Sequence, residues 1–132
     1  MKHVISGAVV AAMLLLGTAS VWAHEGMQEE ATENTGQEQT LTGEVVDVFC
    51  YLSHGKEGLG QGHAGCARHC IENGLPVAIK VGDQLYLASM ANHEAANKTL
   101  VQYAGEQVTV SGKVMERDGQ HLIAISSVRK AD

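Results

Sequence analysis

The chain has 132 residues, 45% of them hydrophobic, with 9 Lys+Arg against 15 Asp+Glu and a formal net charge of −6. That length accommodates one small domain, since domains run roughly 50 to 200 residues. The acidic balance, with no basic stripe anywhere, argues against a nucleic-acid binder, which needs a dense cationic face to displace phosphate counterions.

Residues 1–23, MKHVISGAVVAAMLLLGTASVWA, have the grammar of a secretory signal peptide. Lys2 precedes an apolar run centred on Ala8 to Leu16, and small residues stand at Val21 and Ala23. The pattern predicts a cut after Ala23 and a periplasmic or secreted protein. An uncleaved anchor is the alternative, because Val4 to Ala23 gives about 20 uncharged residues, enough to cross a bilayer. No Cys follows the run, which argues against a lipid anchor.

Residues 24–40, HEGMQEEATENTGQEQT, hold five Glu and no basic residue. So little apolar surface cannot offset ordering entropy, and a disordered acidic leader is expected. His24 at a cleaved N-terminus reads as a by-product of the cut rather than as a Cu(II) chelator.

From Leu41 to Lys130, short β-branched runs alternate with turn residues. Leu41 to Leu52 has a strand-like interior that leads directly into Cys50. Pro76 to Val81, the turn Gly82-Asp83 and Gln84 to Ala88 predict a β-hairpin. Ala91 to Ala104 reads as a helix with Ala95, Leu100 and Tyr103 among its buried residues. Gln107 to Met115, the turn Asp118-Gly119 and His121 to Val128 predict a second hairpin. Five strands with a helix between the third and fourth is the element order of the OB-fold, a small, partly open barrel. The expected class is therefore mainly β, an OB-fold-like five-stranded barrel over residues 41–132 with an insertion after strand 1. Another small α+β sheet with the same count is the alternative.

The insertion concentrates the chemistry. Ten Cys plus His occur in the chain, and six lie between positions 50 and 70: Cys50, His54, His63, Cys66, His69 and Cys70. Thiolates and imidazoles at short spacings are the donors that Zn(II), Cu(I) or iron take. His63 to Gly74 reads as a short helix with an Asn73-Gly74 stop and Pro76 just beyond. At about 100° per residue, His63, Cys66 and Cys70 fall within roughly 60° of one another on one face. Ala64, Ala67 and Ile71 occupy the neighbouring arc that would dock on the barrel, and Arg68 and Glu72 face solvent. Cys50 is the natural fourth donor, with His54 in reserve and His69 pointing elsewhere. The Ser53–Gly62 loop has four glycines, which lets the helix fold back over Cys50.

A disulfide is the competing reading in a secreted protein. Cys66 and Cys70 are poor partners, because i and i+4 Cβ atoms on a helix stand about 5–6 Å apart whereas a disulfide prefers about 3.8 Å. Cys50 to Cys66 or to Cys70 remains open, and three cysteines leave one thiol over. A c-type haem would need C-x-x-C-H, which CARHC followed by Ile71 does not provide; iron, haem binding and a thiol-redox role stand behind the Zn or Cu site and the disulfide as further alternatives. His93-Glu94 on the expected helix reads as a solvated pair or cap, Ser53-His54 has no third catalytic group in view, and no enzyme activity is expected. Met90, Met115 and His121 read as core or hairpin residues.

Two resemblances rest on this segment. Cys66-x-x-x-Cys70 resembles the copper motif of Sco-type assembly proteins, whose thioredoxin-like element order this chain lacks. More directly, CYLSHGKEGLGQGHAGCARHCIENGLPVAI with GEQVTVSGKV resembles a family of small exported bacterial proteins with a C-Y-L…H-x-x-C-A-x-x-C…G-x-P-V pattern. The resemblance implies a compact exported domain with a Cys/His site and brings no activity with it. One Zn or Cu ion on Cys50, His63, Cys66 and Cys70 is the expected cofactor. A periplasmic metalloprotein or assembly factor is the expected partner, with no nucleic acid and no membrane after cleavage.

Overall fold

A computed structural model describes residues 36–132. The expected signal peptide and most of the expected leader lie outside these residues. Five strands, β1 (Gln37–Asp47), β2 (Val77–Val81), β3 (Gln84–Met90), β4 (Gln107–Arg117) and β5 (Gln120–Lys130), close into a barrel in the order β1-β2-β3-β5-β4. All neighbours are antiparallel except β3 and β5, which run parallel with Leu87 opposite Leu122 and Met90 opposite Ile125. This is the OB-like architecture expected, closed rather than partly open because β1 also pairs with β4.

The turns follow their residues. β2 and β3 are joined at Gly82 (φ +53), and β4 and β5 at Asp118 (φ +52) and Gly119 (φ +75). Two successive positive φ values make the latter a type I′ turn, whose twist matches that of paired strands. β1 starts at Gln37, four residues before the expected boundary. Its first four residues are exposed and polar and carry no apolar alternation. Pairing with β4 orders them, helped by a hydroxyl contact of 2.9 Å between Thr40 and Ser111.

Among the described residues, three helices accompany the barrel: α1 (Val48–His54), α2 (Ala64–Glu72) and α3 (Asn97–Leu100). α1 corrects the expectation that strand 1 runs on through Cys50. Asp47 stops the strand because its side chain caps the helix, with the Cys50 backbone N–H donating to Asp47 Oδ2 at 2.7 Å. A 3-10 turn (Gly55–Gly58) follows, so the glycine-rich loop is partly ordered. Gly58 is packed against α1, where a Cβ would lie 2.9 Å from the Cys50 carbonyl oxygen. Only glycine allows that approach.

α2 runs as its sequence predicts and ends in a Schellman motif. Gly74 takes φ +86, its N–H donates to Ile71 O at 3.1 Å, and the Leu75 N–H donates to Cys70 O at 3.1 Å. Ala64, Ala67 and Ile71 are buried against the barrel, the arc expected to dock, while Arg68 and Glu72 are exposed.

The helix expected over 91–104 shrinks to α3 and a 3-10 turn at Val101–Tyr103. Asn92 Oδ1 accepts the Glu94 N–H at 3.2 Å and His93 adopts φ +67, a local turn that competes with the helix. His93 and Glu94 therefore lie in a turn, not on a helix. Ala95 is exposed and its neighbour Ala96 is buried instead; Leu100 is buried as expected and Tyr103 half-buried. Asn97 Nδ2 donates to Ile71 O at 2.9 Å and to Leu75 O at 2.7 Å, which ties the α2 terminus to α3. The core joins Val45, Ile79, Val108, Val110, Ile123 and Ile125 of the barrel with Ala67 and Ile71 of α2 and Leu100 of α3.

Candidate metal centre

α1 and α2 place cysteines at equivalent positions. Asp47 precedes α1 and Cys50 is its third residue; His63 precedes α2 and Cys66 is its third residue. Cys70 lies one turn further along α2. The large hydrophobic residues of α1, Phe49 and Leu52, are exposed, so the helix turns Cys50 inward rather than an apolar side chain.

The result is a triangle of thiols. Cys50 Sγ stands 3.7 Å from Cys66 Sγ and 3.9 Å from Cys70 Sγ, and all three sulfurs lie within 4.8 Å of one another. Three sulfurs held by a metal at about 2.3 Å in tetrahedral directions stand about 3.8 Å apart. No covalent bridge links them; all three cysteines are free. Burial grades across the triangle: Cys50 is 4% exposed, Cys70 half-buried and Cys66 exposed. One edge of the cluster therefore faces solvent while its base is sealed.

The imidazoles are placed differently. None joins the set of groups gathered within 4.8 Å among the described residues. His63 stands at the entry to α2 with its ring centroid 6.2 Å from that of His54, which is exposed at the end of α1. His63 Nε2 is buried and has no hydrogen-bond partner. His69 is exposed beside Asn73, whose Nδ2 donates to the His69 carbonyl at 2.7 Å.

Asp47 is the site residue that sequence reasoning missed. It is 1% exposed, its Oδ2 accepts the Cys50 N–H, and its Oδ1 has no partner. The signal was present as D-x-x-C, an N-cap residue three positions before a cysteine. The Asp47 carboxylate, followed by burial, pushes the Cys50 thiol far above its ordinary range, and the two other thiols add to the shift. Burial pushes the Cys70 thiol up as well. Without a cation, Cys50 and Cys70 thus favour the protonated thiol. A bound cation reverses that preference by replacing protons with its own charge.

Fold and site together define a closed five-stranded barrel with a tri-thiol cluster, able to hold one metal ion, built on two helices inserted after strand 1. Comparison with protein families, with curated proteins and with solved structures finds no match for the chain.

Proposed function

We propose that the protein is an exported transition-metal-binding protein that holds one Zn or Cu ion and acts as a carrier or accessory protein for a periplasmic metalloprotein or its assembly. The observation that carries this reading is the spacing of the Cys50, Cys66 and Cys70 sulfurs, which matches thiolates sharing one ion. Soft thiolates select Cu(I) and Zn(II) over hard cations. The buried, unpartnered Nε2 of His63 supports that residue as the fourth donor, and His54 beside it is the reserve. Exposure of Cys66 suits an ion that is handed on, because an incoming ligand can reach that sulfur first.

The signal-like segment and the resemblance of the Cys/His segment to small exported bacterial proteins are what support export to the periplasm. Protein isolated from that compartment under anaerobic conditions tests the function directly. One equivalent of Zn or Cu with three reduced thiols is the expected result. One disulfide and no metal would overturn it.

A further inference from the structure

From the arrangement of the three sulfurs, we infer that the metal-free protein undergoes thiol–disulfide exchange with an external disulfide at Cys66, closing a Cys50–Cys66 bridge and leaving Cys70 as the free thiol. The inference rests on the metal-binding reading in one respect only: bridge and metal would compete for the same sulfurs.

Cys50 is the hub of the cluster, with both other sulfurs within 3.9 Å of its own. Cys66 and Cys70 sit four residues apart on one intact helix, a poor geometry for a bridge. Any internal disulfide must therefore use Cys50. Exposure then separates the other two cysteines. Cys66 is open to solvent, whereas Cys70 is half-buried and Cys50 is buried, so a disulfide partner too large to enter the cluster meets Cys66 first. Cys50 is also nearer to Cys66 than to Cys70.

The chemistry balances with a disulfide, protein or low-molecular, as oxidant. The Cys66 thiolate attacks one sulfur of the partner, forms a mixed disulfide and releases the first partner thiolate. Cys50 then attacks the Cys66 sulfur, forms the internal bridge and releases the second. Two protein thiols are oxidised, the partner disulfide is reduced to two thiols, and the protons lost by Cys66 and Cys50 go to those thiolates. Only one thiol of the triangle is left for a metal.

The test uses the full, reduced, metal-free chain with oxidised glutathione as the probe, followed by alkylation of remaining thiols and peptide mapping. The expected product is a Cys50–Cys66 bridge with Cys70 alkylated. A Cys50→Ser variant should accumulate glutathione on Cys66, and Cys70→Ser should still form the bridge, which keeps the test decisive if Cys50→Ser folds poorly. A Cys50–Cys70 bridge, glutathione persisting on Cys66 of the unaltered chain, or no reaction within hours would overturn the inference. Loading the reduced chain with one equivalent of Zn before adding the probe should slow bridge formation at least tenfold. If the mapping holds but zinc neither binds nor protects, the metal-binding reading fails while the exchange reaction stands; if zinc binds and the mapping fails, the reverse follows.

Discussion

Cys50 and Cys66 occupy the third position of two successive helices, and their sulfurs stand 3.7 Å apart. The Asp47 side chain caps the first helix three positions before Cys50, whereas His63 stands at the same place before Cys66 without a side-chain cap. Asp47 ends β1, and α2 is pinned by Ile71 in the core and by Asn97 at its end. The cluster is thus positioned by the fold rather than by the flexibility of the loop between the helices.

If the three thiols share one ion, replacing any of them removes a ligand. Cys66→Ser should weaken Zn or Cu(I) binding by more than about 100-fold, beyond the 10- to 100-fold typical of losing an outer partner. Cys66 is exposed, so the fold should survive the change. His93→Ala, in an exposed turn remote from the α1–α2 cluster in the chain, should leave affinity unchanged. Competition titration against a chelator measures both, and equal losses would contradict the assignment.

Asp47 has two separable roles, cap and charge. Asp47→Asn retains a carbonyl oxygen for the Cys50 N–H and removes the negative charge, so the Cys50 thiol should ionise at lower pH with little loss of stability. Asp47→Ala removes both and should cost about 1 kcal/mol from the lost cap. An ultraviolet thiolate titration paired with chemical denaturation separates the two effects. If Asp47→Asn does not move the titration, the carboxylate is not what holds the thiol protonated.

The raised thiols give the metal-free protein a defined pH response. Unfolded cysteines titrate near 9.0, whereas Cys50 and Cys70 in the fold titrate higher. Above pH 9 the folded chain therefore keeps protons that the unfolded chain has lost, and its stability falls as pH rises. Below pH 9 this contribution is fully present. Metal affinity should move oppositely, increasing with pH as proton competition weakens. Denaturation of reduced, metal-free protein between pH 7 and pH 10.5 in a chelating buffer checks the first trend; stability flat or rising over that interval would contradict it.

Legibility in the sequence followed the range of the interactions involved. α2 was readable because its signals are local: Ala64, Ala67 and Ile71 share one arc, and Asn73-Gly74 followed by Pro76 marks its end. Both hairpins were readable from Gly82-Asp83 and Asp118-Gly119. α1 was hidden because Val45, Val46 and Val48 form a β-branched run, and only the Asp47 cap marks the change of direction. Ala91 to Ala96 looked helical by propensity, which the Asn92 turn overrides. The closure of β1 on β4 joins residues nearly 70 positions apart, as at Thr42 and Thr109, and no local pattern announces such pairing. For the site, the 3-4 spacing brought Cys66 and Cys70 together, while the place of His63 depended on where the helix begins.

X-ray absorption at the metal edge of the protein loaded with one equivalent of Zn or Cu(I) counts the sulfurs that Cys50, Cys66 and Cys70 give to the ion. Three sulfur neighbours at about 2.3 Å are expected, falling to two in Cys66→Ser. A first shell made of nitrogen and oxygen alone, or the same sulfur count in protein and variant, would contradict it.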